Sequence, residues 1–359
     1  MRKLFVIILL SVCLPTIITA QKAGGNVVRK TQKVSKPATQ RQTKHYSNVQ
    51  SVSIDKNKLK GASVVYDGMK YEFFSGNGWW VLSKGKDSSY VKIRGTINYN
   101  GETFTVKQIY PYAFRNMQKV EKVDISEGIV LISPGAFGGC TKLNDIHFPK
   151  SLRKIYEKAF YNCTSLKHIS FNSTKIHLSH AAFYNSWIVS IQLPEEFSMN
   201  NNAFMNCSQL QEIIVNKKNK EYDSRNNCNA IIYTKDNRLV AGCNNTQIPA
   251  DIRTIDYYAF AGSNLTSVNI PEGVEEIGMA AFSDCKQLKD VRFPQSLKKI
   301  GDRAFYGCDI EDSVKIPNRV AEISSKAFAS NRKLKLAHIP VSCKVEDNAF
   351  DEHVQIIRY

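Results

Sequence analysis

The dipeptide Ala-Phe occurs ten times in the chain, at nearly regular intervals. Its phenylalanines stand at positions 114, 137, 160, 183, 204, 260, 282, 305, 328 and 350. Eight of the nine intervals are 21 to 23 residues long, and one is 56 residues long. A short unit repeated in tandem predicts a solenoid, because one unit cannot bury its apolar face alone and must stack on its neighbours. A unit of this length is expected to hold one strand and one turn or short helical segment.

The repeat unit explains which side chains would be buried. The clearest copy reads CKQLKDVRFPQSLKKIGDRAF, in which Leu288, Val291 and Phe293 have the spacing of inward-facing strand residues. Leu297 and Ile300 form a second apolar pair before the Ala-Phe dipeptide. Stacked copies would bury these residues and the phenylalanines in one column, with the strands paired in a parallel sheet.

The position three residues after each phenylalanine holds five of the nine cysteines. They are Cys140, Cys163, Cys207, Cys285 and Cys308. The other copies place Ser186, Ser263, Asn331, Met117 and His353 there. The small hydrogen-bonding residues among them favour free, buried cysteines that act in the same way. Disulfides between adjacent copies, such as Cys140 with Cys163 or Cys285 with Cys308, remain an alternative, because adjacent strands are only about 4.8 Å apart.

The long interval contains an interruption at about residues 216–248. The segment NNCNAIIYTKDNRLVAGC has two apolar runs on either side of a polar turn, which predicts an inserted β-hairpin. Cys228 and Cys243 would then lie near each other, and they form a candidate disulfide. A shift of one residue in the hairpin register would move the two thiols apart.

Three segments precede the repeats, which occupy residues 109–359. Residues 1–20 begin with two basic residues and an apolar run and end in small residues, as a signal peptide does, and the run is too short to span a bilayer. Residues 21–48 contain seven Lys or Arg and no acidic residue, which predicts a basic, disordered linker. Alternatively, this arm contacts an acidic surface. Residues 49–108 alternate in short β-like runs and are expected to form an N-terminal β cap.

The repeat resembles that of the BspA-like bacterial surface leucine-rich repeat proteins. The resemblance is carried by IPEGVEEIGMAAFSDCKQL, FPQSLKKIGDRAFYGC and SRNNCNAIIYTKDNRLVAGCNNTQIP, and it covers about 250 residues. It implies exported proteins that engage proteins or glycans outside the cell, often host matrix components, and that share no catalytic residues. The expected fold is a repeat solenoid of leucine-rich repeats of about 23 residues, with a parallel β-sheet on the concave face, an inserted β-hairpin and a small N-terminal β cap.

Signals of catalysis are weak. The chain has no G-x-S-x-G, no H-E-x-x-H and no phosphate-cradling loop. His177 and His180 have a spacing that would suit a metal, but no acidic or cysteine ligand accompanies them at ligand spacing, which favours a structural or solvent-exposed role. We therefore predict that the protein is not an enzyme and has no cofactor or metal. Its net charge of +17 does not indicate nucleic acid, because an exported chain without a nucleic-acid-binding module has little access to it.

Binding residues are expected between the two inward positions of each strand, where a solenoid displays a row of side chains on its concave sheet. The candidate ligand-binding residues are Asp124, His147, Gln192, Asn269, Arg292, Lys315 and His338, and Ser170 and Ile214 complete the row. We predict an exported, cell-surface or secreted binding or adhesion protein that engages an extracellular protein or glycan. The alternatives are a structural component of a surface assembly and, less favoured, a secreted hydrolase.

Overall fold

Two ladders of β-strands run through the computed structural model, which describes residues 56–76 and 78–359. The predicted signal peptide, residues 1–20, and the predicted linker, residues 21–48, lie outside the described residues. So does the beginning of the region predicted as the cap.

The first ladder consists of two separate sheets, one formed by the N-terminal strands and the other by the C-terminal strands. The first sheet follows the order β1 (Ser63–Tyr66), β2 (Met69–Phe74), β3 (Trp79–Lys84), β6 (Glu102–Ile109), β8 (Leu131–Ile132), β10 (Lys154–Ile155), β12 (Lys175–Leu178) and β14 (Glu196–Met199), and β5 (Thr96–Tyr99) pairs with β6. The second follows the order β16 (Tyr222–Asp223), β17 (Ala230–Tyr233), β18 (Arg238–Gly242), β19 (Thr254–Ile255), β21 (Glu276–Ile277), β23 (Lys299–Ile300), β25 (Glu322–Ile323) and β27 (Lys344–Val345).

The second ladder contains the strands that the sequence predicts. Its four sheets are β4 (Tyr90–Ile93), β7 (Lys122–Ile125) and β9 (Asp145–His147); β11 (His168–Ile169), β13 (Ser190–Leu193) and β15 (Glu212–Val215); β20 (Ser267–Asn269) and β22 (Asp290–Arg292); and β24 (Asp312–Lys315), β26 (Leu334–Ile339) and β28 (Gln355–Arg358). Short 3-10 turns occur at Lys56–Leu59 and Arg225–Asn227.

The predicted leucine-rich solenoid is confirmed, but the expectation of one strand per coil was wrong. Each regular coil contributes one strand to each ladder, and the described residues contain no α-helix. The additional strand is only two residues long in many coils, as in β23, where Ile300 is buried and Lys299 is exposed. Two residues are too few to show the alternation by which a strand is recognised in a sequence.

The phenylalanines form the predicted spine in two stacks. Ring centroids of neighbouring coils lie 4.8 to 5.8 Å apart, and the rings are within 10° of parallel. The two stacks are Phe114 to Phe204 and Phe260 to Phe350. None of the ten rings is more than 9% exposed. Offset parallel rings at this spacing attract each other and also exclude water from the core.

The residue three positions after each phenylalanine completes the same corner. The Sγ atom of Cys140 donates a hydrogen bond to the carbonyl oxygen of Phe114, one coil earlier, at 3.0 Å. Cys163, Cys207, Cys285 and Cys308 repeat this contact at 3.1 to 3.3 Å. Ser186 Oγ and Asn331 Nδ2 make it at 2.8 Å. Seven of the ten positions of this kind therefore hold a small hydrogen-bond donor that makes this contact, and all eight cysteines of the described residues are free and buried.

The inserted hairpin is present, and its two strands are buried rather than displayed. β17 and β18 are antiparallel, and β18 continues into the parallel ladder through β19. Ile231 and Val240 pack into the core on one side of the hairpin, whereas Ile232 and Leu239 pack into the core on the other side. The hairpin thus separates two stretches of the core. Its two strands and the turn between them reach the surface only at residues 233–238.

The hairpin register separates the two cysteines of the candidate disulfide. Ala230 lies opposite Gly242, so Asn229, not Cys228, falls opposite Cys243. The Sγ atom of Cys243 accordingly donates to the carbonyl oxygen of Asn229 at 3.3 Å. Cys228 and Cys243 pack into the cores on opposite sides of the hairpin, and neither is bridged in this structure. The hairpin register thus differs by one residue from the register that would place Cys228 opposite Cys243.

The parallel ladders begin inside the region predicted as a cap. β1 and β2 form an antiparallel hairpin on β3, but β3 already pairs in parallel with β6, and β4 with β7. Within the described residues, the part that precedes the first coil is therefore the turn Lys56–Leu59 and the hairpin of β1 and β2.

Candidate binding face

The candidate ligand-binding residues lie at matching positions of the second ladder. Asp124 is the register partner of His147, Asn269 of Arg292, and Lys315 of His338. Gln192 faces Ile214 in the same way. These side chains are exposed or half-buried, because the inward positions alternate with them along each strand. They fall into separate groups, because the second ladder is interrupted between its four sheets.

The polar groups at the N-terminal end of this face are engaged with one another. The Asp124 carboxylate accepts a hydrogen bond from the Tyr90 hydroxyl and contacts His147 Nδ1, both at 2.6 Å. The Tyr90 hydroxyl and then the His147 ring hold the pKa of Asp124 below its usual value. Lys122 is paired with Asp145 at 2.8 Å. Since these charges are satisfied within the protein, a ligand would have to displace existing contacts here.

The middle part of the face, at β15, borders the inserted segment. Ile214, on β15, is 40% exposed and borders a cavity of about 570 Å³ that the turn at Arg225–Asn227 closes on the other side. The Arg225 guanidinium holds this turn through Asp223 at 2.7 Å, Asn237 at 2.8 Å and Asp251. Its pKa is raised by Asp223 and then by Asp251, so it is a permanent cation within a closed ion network.

The C-terminal end of the face differs, because its cations are not neutralised in this way. Within the described residues, Lys315 makes no ion pair, and its Nζ atom lies 5.5 Å from the ring centroid of Tyr359. Arg292 approaches only Asp290, at 3.6 Å, and the two side chains are 78% and 63% exposed. A cavity of about 440 Å³ lies between these two cations, with Tyr359 in its wall. Charged groups without a close partner can bind a ligand at a smaller desolvation cost than groups that must first break an ion pair.

This cavity exists because β22 and β24 are not hydrogen-bonded to each other. One repeat upstream, Leu288 is fully buried at the position where Glu311 now stands, and Ile310 fills the core instead. Asp312 then adopts a left-handed conformation, with φ of 53°, and the register of β24 on the following strand, β26, shifts between Asp312 and Ser313. The Glu311 amide still donates to the carbonyl oxygen of Lys289 at 3.1 Å, but β24, which begins at Asp312, is not paired with β22, and the face is open between Arg292 and Lys315.

His177 and His180 each contact one polar or aromatic side chain. His177 Nδ1 lies 3.0 Å from Ser198 Oγ, and the His180 ring centroid lies 5.7 Å from that of Tyr258. His177 Nε2 and His180 Nδ1 are buried without a hydrogen-bond partner. Burial lowers the pKa of both rings, and Lys154 lowers that of His177 further. Residues 56–76 and 78–359 contain no group of three or more His, Cys, Asp or Glu arranged to hold a metal ion.

Five polar lining residues of the C-terminal cavity were not predicted from the sequence, namely Asp290, Gln295, Ser313, Asn318 and Tyr359. Gln295, Asn318 and Tyr359 follow the strands, whereas the prediction covered only one outward position on each strand. The segment Ile-Glu-Asp at 310–312 was the available signal, because it departs from the leucine spacing of the neighbouring copies.

The repeats identify the family. Residues 105–231 and 240–357 match the BspA type leucine rich repeat region in six copies. The chain belongs to the BspA-type leucine-rich repeat family. No curated protein matches this BspA-type chain in sequence.

Solved structures share the fold at low sequence identity. A leucine rich cell surface protein from Faecalibacterium prausnitzii is 20% identical, with a TM-score of 0.59 over 83% of this chain and 94% of that one. The pneumococcal vaccine antigen PcpA is 19% identical, with a TM-score of 0.59 over 83% of this chain and 99% of that one. A leucine-rich repeat protein from Eubacterium ventriosum is 18% identical, with a TM-score of 0.53 over 79% and 88%. These values show a common fold, and function must be argued from this chain's own residues.

The described part of this BspA-type chain contains no helix with the length and apolar character needed to cross a bilayer.

Proposed function

We propose that this BspA-type protein is an exported, cell-surface or secreted binding or adhesion protein without enzymatic activity. Its ligand, an extracellular protein or glycan, contacts the second ladder. The observation that carries the proposal is the pair of exposed cations on the second ladder, of which Lys315 makes no ion pair within the described residues and Arg292 makes one exposed pair, with Asp290 at 3.6 Å. Export is supported by the signal-peptide pattern of residues 1–20.

The proposal is tested by locating the binding surface. The chain without residues 1–20 is screened against extracellular matrix proteins and glycans, at low and high salt. Each ligand found is then measured with Asn269→Trp, which places a bulky ring on the second ladder, and with Lys299→Trp, which places the same ring at an exposed position of the first ladder. We expect Asn269→Trp alone to weaken binding. Equal effects of the two variants, or an effect of Lys299→Trp alone, would contradict a binding site on the second ladder.

A structural role in a surface assembly has one observation in its favour. At the C-terminal coil, Val341 is 74% exposed and Ile356 is 43% exposed, although Ile356 is the register partner of the buried Ala337. Exposed apolar side chains on the outer strand of a sheet favour association with another strand. Light scattering over a range of protein concentrations tests this role. A mass that stays that of one chain at every concentration argues against it.

A further inference from the structure

We propose that the cavity between β22 and β24 is a subsite for an anionic sugar, a pyranose that carries a carboxylate or a sulfate group. The inference rests on the proposed function, because it assigns a ligand class to the same face.

The size and openness of the site come from the break in the second ladder. Adjacent paired strands lie about 4.8 Å apart and leave no room between their outward side chains. Where β22 and β24 separate, the structure has a cavity of about 440 Å³, which is within the range of about 300–1,000 Å³ that is usual for small-ligand pockets. One or two sugar rings can therefore enter between the outward side chains of β22 and those of β24.

The charges of the site favour an anion. Arg292 and Lys315 stand on its two sides, and Asp290 is the one acidic side chain in its lining, so the lining side chains carry one net positive charge. His338 lies beside Lys315 in register. Arg292 can bind a carboxylate or sulfate through two parallel hydrogen bonds, whereas Lys315 acts as a point charge.

The aromatic and amide groups of the site favour a sugar over an acidic peptide. The Tyr359 hydroxyl donates a hydrogen bond to the carbonyl oxygen of Ile316 at 2.6 Å, which fixes the ring, and the residue as a whole remains 43% exposed. A fixed, partly exposed aromatic ring presents an apolar face of the kind on which the C–H face of a pyranose packs. Gln295, Asn318 and Ser313 border the same cavity, and their exposed side chains can donate to and accept from sugar hydroxyls.

The experiment measures the affinity of the whole chain without residues 1–20 for four probes by calorimetry. The probes are a sulfated heparin-derived oligosaccharide, an oligogalacturonate, a neutral oligosaccharide of the same length and a poly-glutamate peptide. The variants are Arg292→Gln with Lys315→Gln, and Tyr359→Ala. The matched control is Lys299→Gln with Lys344→Gln, which removes the same charge from exposed positions of the first ladder.

We expect at least one anionic oligosaccharide to bind, and its preference over the other to show whether carboxylate or sulfate is recognised. The double variant at Arg292 and Lys315 should weaken that binding about 100-fold, because each lost ionic contact of about 1.4 kcal/mol is worth a factor of ten. Tyr359→Ala should weaken it about tenfold, and the first-ladder control should leave it within about twofold at physiological salt.

Three results would overturn the inference. They are failure of both anionic sugars to bind, binding that the first-ladder control reduces as much as the Arg292 and Lys315 variant does, and binding of poly-glutamate as tight as that of the sugars. The proposed function has a separate readout. If another ligand binds and Asn269→Trp weakens it while the anionic sugars do not bind, the binding face stands and the sugar subsite falls.

Discussion

Replacement of Phe282 by alanine tests whether the phenylalanine stack holds the solenoid together. The Phe282 ring is fully buried, and its centroid lies 4.9 Å from that of Phe260 and 5.0 Å from that of Phe305. Burial of a phenylalanine side chain contributes about 1.5–3 kcal/mol, and each aromatic contact adds about 0.5–1.5 kcal/mol. Because the neighbouring rings cannot close the gap, we expect the free energy of unfolding to fall by about 3–5 kcal/mol.

Phe350→Ala provides a matched control. The Phe350 ring lies at the end of the second stack, is 9% exposed and has one stacked neighbour, Phe328, at 4.9 Å. Its loss should therefore cost about half as much as the loss of Phe282, since fewer contacts are removed and water reaches the gap. Phe282→Leu keeps most of the apolar volume and separates the cavity from the ring contacts.

The assay is urea denaturation followed by circular dichroism, with the free energy of unfolding taken from the midpoint and slope of each curve. The account predicts the order Phe282→Ala, then Phe350→Ala, then the unmodified chain, from least to most stable. An unchanged midpoint for Phe282→Ala would refute the reasoning, and so would an equal loss in the two alanine variants.

Three further predictions follow from the described residues. A thiol reagent should titrate eight thiols of these residues in the denatured, unreduced protein, and a smaller count would reveal disulfides. In the native protein the reaction should be slow, because burial protects the thiols and, for example, raises the pKa of Cys140 to about 12. Burial lowers the pKa of His177 and His180 in the folded state below the ordinary value of 6.5, so their contribution to stability is complete above that value and is lost as the pH falls below it. The melting temperature should therefore decrease from about pH 7.5 to about pH 5, and the double substitution by glutamine should flatten this slope; an unaltered slope would show that other groups cause it. Arg225→Ala should speed proteolysis within the inserted segment with little effect on overall melting, because it breaks the ion network of the turn, and an unchanged cleavage rate would contradict this role.

The sequence predicts the regular part of the fold well, because each coil repeats the same physical requirement. The Ala-Phe dipeptides marked the buried corners correctly, and the cysteine positions indicated a small hydrogen-bond donor there. The second strand of each coil was not predictable, since a pair such as Lys299 and Ile300 is too short to show alternation. The turn residues predicted the hairpin, but they did not predict that both of its faces are buried. A short apolar run has the same sequence pattern whether one face or both faces of the strand are buried.

The candidate site could be predicted only in part. The outward row of the second ladder followed from strand alternation, and the structure places Arg292 and Lys315 there as expected. Which members of the row are free to bind depends on contacts between coils, such as the pairing of Asp124 with His147, and no local pattern contains them. The cavity between Arg292 and Lys315 depends on the irregular backbone at Asp312, where the register of β24 shifts although the amino-acid composition of the repeat hardly changes.

Hydrogen exchange of the chain with and without its bound ligand tests the central claim most directly, because it maps the contact surface without any substitution. The account predicts that the ligand slows exchange in the strands β20, β22, β24 and β26 of the second ladder and in the segment that carries Tyr359. Protection confined to β21, β23, β25 and β27 of the first ladder would contradict it.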